Sequence, residues 1–281
     1  MRLLSALALA ALLAGCSLRH AALEQMAGAL AEGGAAFASD DDPELVRAAA
    51  PVTLKLIEAM LEQRPADARL HLAAASGFAQ YAYAFVQQDA DEAEAVDLQR
   101  ALALSRRARL LYARARDHGL HGLALGDGPE AAGLAFWTGM SWAALIALSK
   151  DEPEMLADLP RVDALVHRAL ELDEGYGAGA LQTFLIAYEV SHPAAAAGST
   201  ARARGRFARA MQLSGGRDAA PLVALAESVC VREQQKAEFD ALLERALAID
   251  TRQPSPQRLA NLVAQRRARW LLARRAELFL E

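Results

Sequence analysis

The sequence predicts an all-α protein. Apolar residues recur at intervals of three and four, the alternation expected of strands is nearly absent, and one short helical segment returns several times along the 281 residues. The expected architecture is a set of irregular, tetratricopeptide-like helical hairpins curled into a compact body.

At the start of the chain, Arg2 supplies one positive charge, and residues 3–13 are apolar except for Ser5, ending in Ala14 and Gly15. Charge, apolar core and small residues in that order make a secretory signal. So short a run cannot cross a hydrocarbon core of about 30 Å, which takes about 20 helical residues, so the segment exports rather than anchors. It ends in L-A-G-C at 13–16. This resembles the bacterial lipobox, in which the cysteine sulfur takes a diacylglycerol, the signal is cut before it, and the new amino terminus is acylated. Residues 1–15 are therefore expected to be a signal peptide and Cys16 the lipidation site. One acyl chain holds a protein only marginally, whereas two or three anchor it stably. Ser17 carries no charge that favours retention in the inner membrane, so the expected location is the periplasm, tethered to the outer membrane. Residues 16–42 then form the lipidated N-terminus and a first helix, and 43–281 the helical domain.

Thirty basic and 35 acidic residues leave a net charge of −5. That balance offers no concentrated basic surface, so a nucleic-acid partner is excluded. With Cys16 lipidated, Cys230 has no partner within the chain, and no internal disulfide is available even in an oxidising compartment. It falls in S-V-C-V, on an apolar helix face. The sequence sets no activating base beside it, as a catalytic thiol would need.

The helices can be followed in order. S-D-D-D-P-E at 39–44 offers Asp42 as an N-cap, Pro43 at the first helical position and Glu44 in the first turn, where the helix dipole favours a carboxylate. Leu54, Ile57 and Leu61 follow on one stripe. D-E-P-E at 151–154 is expected to repeat the capping device, ahead of the stripe Val162, Leu165, Val166, Ala169 and Leu170. G-D-G-P at 126–129 and S-G-G-R at 214–217 read as breaks between helices. A last stripe is Phe239, Leu242, Leu243 and Ala246.

H-R-A-L-E-L-D at 167–173 recurs as E-R-A-L-A-I-D at 244–250, with weaker relatives at 208–214, 112–118 and 57–65. These segments resemble the second helix of tetratricopeptide-like repeats, where a small residue permits close packing before the turn. Between Met60, Ala115, Ala169, Ala210 and Ala246 the steps are 55, 54, 41 and 36, against about 34 in a regular array. Hairpins with long insertions, curling into a compact body, fit that irregularity. Stacked pairs leave a concave surface on which a ligand can bind.

The most distinctive region runs from 133 to 189. It holds A-F-W-T-G-M-S-W at 135–142, A-L-E-L-D-E-G-Y-G-A-G-A at 169–180 and F-L-I-A-Y-E-V-S-H-P at 184–193. A-M-Q-L-S-G-G-R at 210–217, A-L-A-E-S-V at 224–229 and L-A-N-L-V-A-Q-R-R-A-R-W-L-L at 259–272 follow. In this order and behind a lipobox, the set resembles the T-component (TatT) family of lipoproteins associated with TRAP transporters. The resemblance implies a helical periplasmic lipoprotein that partners the transporter's solute receptor, the P-component. It also implies a homotrimer whose protomers enclose an apolar central cavity or pore, hence a hydrophobic small molecule as ligand. It brings no catalytic or ligand-binding motif to be carried over.

The site residues come instead from chemistry. Phe136, Trp137, Trp142, Tyr176, Phe184 and Tyr188 concentrate aromatic surface in a chain of only 16 aromatics, and are expected to line the concave wall against an apolar ligand. Their other reading is core packing. Trp137 and Trp142 stand about 140° apart on a helix and cannot share one narrow face. Glycines 175, 177 and 179 surround Tyr176 without the preceding strand a phosphate loop requires, so they read as a tight interhelical turn. His118 and His121 make at most half a metal site, and no metal or other cofactor is expected. Arg266 and Arg267, with Arg269, Arg274 and Arg275, make the last helix basic. They read either as a docking face for an acidic partner or as a solvated face balanced by acidic neighbours.

No nucleophile or paired acid and base stands out, so an enzyme is not expected. The expected function is that of a membrane-tethered binding protein assisting TRAP-type uptake of a hydrophobic solute. The alternative is a repeat-scaffold lipoprotein that recruits envelope-assembly or cell-wall machinery.

Overall fold

The structure, a computed structural model, describes residues 24–149, 152–192 and 197–280. The expected signal peptide (1–15) and lipidation site Cys16 lie outside the described residues. Among these every regular element is helical and no strand occurs.

Residues 24–32 (α1) and Gly34–Ala38 (α2) lead into α3 (Pro43–Gln63). Asp42 caps α3 as expected: its Oδ1 accepts the backbone N–H groups of Glu44 (3.0 Å) and Leu45 (3.1 Å), and Pro43 opens the helix. α1 belongs to the same body, since Ala27 is fully buried and Glu24 pairs with both Arg64 and Arg69. Then come α4 (Ala68–Tyr81), a π-helical turn (Ala82–Gln87), α5 (Gln88–Ala93), α6 (Leu98–Leu123) and α7 (Ala131–Ala147). A 3-10 turn (Pro153–Asp158) precedes α8 (Leu159–Asp173), followed by α9 (Tyr176–Ser191), α10 (Ser199–Leu213) and α11 (Ala220–Leu225). A second π turn (Ala226–Cys230), α12 (Lys236–Leu247), α13 (Arg258–Ala273) and α14 (Arg275–Leu278) complete the chain.

The second capping device is corrected by the structure. Asp151 lies outside the described residues; Pro153 and Glu154 do open the next element, but it is a 3-10 turn, and the Glu152 carboxylate makes no capping hydrogen bond and pairs with Arg109 on α6. An arginine side chain offers that carboxylate a charge-assisted hydrogen bond, which outcompetes a lone backbone N–H. The breaks at 126–129 and 214–217 do fall between helices.

Two kinds of helix alternate. α3, α6, α8, α10 and α12 bury one stripe and present a polar face outward, and Met60, Ala115, Ala169, Ala210 and Ala246 on them are all buried. α7 and α9 are apolar nearly all round, as suits helices covered on several sides. α4 packs on α3, α6 and α7; α7 on α4, α6, α8 and α9; α9 on α10 and α11; α11 on α12 and α13. α13 returns to α2 and α3, so the last long helix meets the first elements.

Candidate functional site

The α8–α9 junction sets the aromatic surface. Gly177 (φ 61°), Ala178 (φ 55°) and Gly179 (φ 101°) turn the backbone left-handed, so the glycine cluster is the tight turn its composition implies. A Cβ on Gly179 would stand 3.3 Å from the Ala210 backbone of α10. Tyr176, just before this turn, lies over α7, and Gly133 makes room for it: a Cβ there would come 2.6 Å from the phenol oxygen. The Trp137 indole donates to that oxygen at 3.2 Å.

Five of the six expected aromatics join one row. Phe136 meets Trp137 (4.8 Å between ring centres), Tyr176 (5.7 Å) and Phe184 (6.2 Å). Phe184 stacks on Tyr188 (5.2 Å), which meets His192 (5.4 Å). Phe136 is buried, whereas Trp137, Tyr176, Phe184 and Tyr188 are partly accessible. Trp142 stands apart, buried beneath the guanidinium groups of Arg116 (5.3 Å) and Arg161 (5.9 Å). Burial raises the Tyr176 phenol above its usual range. Burial, then a hydrogen bond to Asp163 (2.7 Å), does the same for Tyr188. Both stay neutral donors at physiological pH.

One open cleft adjoins this row at Tyr188, and another lies elsewhere on the molecule. One, of about 310 Å³, has Val166, Leu170, Leu185 and Tyr188 as walls and Asp163, Glu189, Arg202 and Arg206 at its rim. The other, of about 430 Å³, lies where α3, α5 and α13 meet. Arg266 lines it, and both expected partner-binding arginines are engaged within the chain. Arg266 donates to Asp89 (2.7 Å) and Glu92 (2.5 Å), and Arg267 to Asp91 (2.6 Å) and Glu227. Asp89 is pushed up by burial but held below the usual carboxylate range by hydrogen bonds from Arg47 and Arg266. Asp91 stays above it, because its burial outweighs the attraction of Arg267.

A pattern the sequence did not announce runs through the helices that are otherwise covered. On α4 and its π turn, Leu72, Ser76, Gln80, Tyr83 and Gln87 are accessible along one line. On α7 the corresponding line is Trp137, Met140 and Ala144; on α9, Ala180, Thr183, Phe184 and Ala187; on α11 and the π turn after it, Ala220, Ala224 and Glu227. Each line has helical spacing and lies on a helix packed by neighbours on its other sides. The apolar members, among them Leu72, Met140, Ala144 and Ala187, look like core in sequence, and only packing distinguishes them.

A third ring joins His118 and His121. His71 lies 5.9 Å from both His118 and His121, and His118 meets Glu58 at 3.2 Å. Among the described residues no His, Cys, Asp or Glu group has the arrangement to hold a metal ion. No helix among them is long and apolar enough to cross a membrane.

Residues 39–132 and 128–279 match the family model described as TRAP transporter T-component. A curated protein of Treponema pallidum (strain Nichols), described as an uncharacterized protein, is 28% identical over 306 residues, covering 96% of this chain and 95% of that protein.

Proposed function

We propose a function from one premise: the chain belongs to the TRAP transporter T-component family, which its residues 39–132 and 128–279 match. That family is one of transporter accessory proteins, not enzymes. Within it, this chain is a lipoprotein of the periplasm, cut before Cys16 and acylated there, tethered to the outer membrane. Helical hairpins of tetratricopeptide-like kind, built from residues 43–281, surround an interior that holds a hydrophobic organic solute, and the protein hands this solute to or from the transporter's solute receptor.

The observation that carries this reading is the set of accessible lines on α4, α7, α9 and α11, helices covered by neighbours on their other sides. Side chains accessible on such helices suit an interior space better than an outer surface. Trp137, Tyr176, Phe184 and Tyr188, with Phe136 behind them, supply its aromatic wall, while Trp142 supports α7 from the far side. The receptor docks over the α3–α5–α13 cleft beside Arg266 and Arg267. Copies associate as a trimer through the outer stripe of α3, where Leu45, Val52 and Leu56 are 58%, 62% and 52% exposed. Nothing in the fold or the comparisons favours the envelope-assembly scaffold.

Native mass spectrometry of the lipidated protein, joined to a pull-down of the receptor encoded nearby, tests this. A copurifying apolar adduct together with receptor capture is the expected result. Protein free of adduct that also fails to capture the receptor contradicts it.

A further inference from the structure

We propose that α6 lies along the membrane surface, its outer leucines entering between anionic phospholipid headgroups while its arginines pair with their phosphates. The proposal rests on the reading that Cys16 tethers the chain, and adds which face of the protein is held against the bilayer.

α6 is the longest helix among the described residues, with 26 residues. Its inner side is packed by α4, α5 and α7. It carries six arginines and one acidic residue, Asp117, in a chain whose net charge is −5. Asp117 is itself engaged by Arg116 at 2.8 Å. Arg100 and Arg106 make no side-chain hydrogen bond or ion pair among the described residues, and Arg107 lies 5.9 Å over the Tyr81 ring. The helix therefore concentrates positive charge that the rest of the chain does not neutralise.

Leucines interrupt that charge on the outer side. Leu98, Leu102, Leu110 and Leu120 are 58%, 44%, 73% and 38% exposed, and at 3.6 residues per turn they fall within about 120° of arc. Arg106 stands inside the arc, and Arg100, Arg107 and Arg114 follow one edge of it. Water suits the guanidinium groups but not the leucines. A headgroup layer suits both, because apolar side chains sink to the acyl boundary while arginine stems reach back to phosphate. The row from Leu98 to Leu120 runs about 33 Å along one helix, a length that a flat lipid surface can cover whole. A second copy meeting this face symmetrically would set arginines against arginines.

The place where the tether enters agrees with this face. Glu24, the first described residue, pairs with Arg64 and Arg69 beside the start of α4. His71, in the first turn of α4, lies 5.9 Å from the rings of His118 and His121 near the C-terminal end of α6. From Cys16 to Glu24 the chain advances eight residues, so acyl groups on Cys16 stay within about 29 Å of Glu24. Held that close, α6 meets the bilayer at high effective concentration, and weak contacts at each residue suffice.

Lipidated protein in vesicles of phosphatidylethanolamine with phosphatidylglycerol, or of phosphatidylcholine alone, tests this by quenching from lipids brominated in their acyl chains. A fluorescent label on Leu110→Cys reports contact, and one on Ala201→Cys, exposed on α10, is the reference; buried Cys230 stays unlabelled. The expected result is severalfold stronger quenching at 110 than at 201 in the anionic vesicles, weakened severalfold in phosphatidylcholine and at high salt. Arg100→Glu with Arg106→Glu should abolish most of it while the unfolding temperature stays unchanged. Quenching equal in the two vesicle types, equal at 110 and 201, or unchanged in the double variant overturns the proposal. So does a 110 label that a second copy or the solute receptor shields from lipid. In each of these cases the tether reading stands as long as the protein floats with the vesicles. Protein that floats with neither vesicle removes the tether reading and this proposal with it.

Discussion

Arg267 joins three elements through one side chain: it sits on α13, where it covers Trp270, and bonds α5 at Asp91 and the second π turn at Glu227. Removing one partner of a buried ion pair leaves the others desolvated and unmatched, at a cost of about 3–5 kcal/mol. Arg267→Met is expected to lose stability on that scale in urea unfolding, and adding Asp91→Asn and Glu227→Gln should recover part of it. His118 offers a second test. Burial lowers its pKa, with the Glu58 hydrogen bond opposing and His71, His121 and Arg114 adding positive or potentially positive charge nearby. Because the folded value is depressed, its contribution to stability is full above the unfolded value of about 6.5 and is lost as pH falls through the folded one. The melting temperature should therefore drop below neutral pH, and His118→Gln should flatten that drop. The sequence made Arg267 visible as a basic residue but gave no sign of its partners, because Asp91 lies in a distant part of the chain. Cys230 was legible: it is fully buried, and burial followed by Glu238 pushes its thiol up to about 12, leaving it inert.

Among the elements, the α8–α9 junction shows what residue type alone can say. Glycines at 175, 177 and 179 announced a tight turn, and the backbone adopts left-handed angles at Gly177, Ala178 and Gly179. Ala178 is the exception, since its Cβ makes φ 55° costly by about 1–2 kcal/mol. Ala178→Gly is thus expected to stabilise the protein by about 1 kcal/mol, whereas Gly179→Ala, with φ 101° and the α10 backbone 3.3 Å from the new Cβ, should destabilise it. Thermal unfolding of the two variants, shifting in opposite directions, checks both. The capped start of α3 and the buried Ala115, Ala169, Ala210 and Ala246 were equally readable, because caps and helical periodicity are local. The two π turns were not, for a π turn differs from an α turn by one residue of hydrogen-bond register and no residue type demands it. Glu152 misled for a similar reason: whether a carboxylate caps a helix or finds an arginine depends on which helix lies alongside.

For the molecule as a whole, closure depends on charge. α13 reaches the first elements through Arg258 to Asp41 (2.8 Å), Arg266 to Asp89 and Glu92, and Arg267 to Asp91. Elsewhere successive helices meet through apolar clusters. The all-α class followed from sequence, as did the grouping of five aromatics. Which side of each apolar helix stays open did not, since Met140 and Ala144 have the composition of core. The account therefore turns on whether those lines face an interior space that small molecules enter. The most direct measurement is the labelling rate of a Met140→Cys variant by a small thiol reagent, with buried Cys230 as the internal reference. The account predicts that the new thiol reacts much faster than Cys230 and is protected by saturating octanol. A Met140→Cys thiol as unreactive as Cys230 would contradict it.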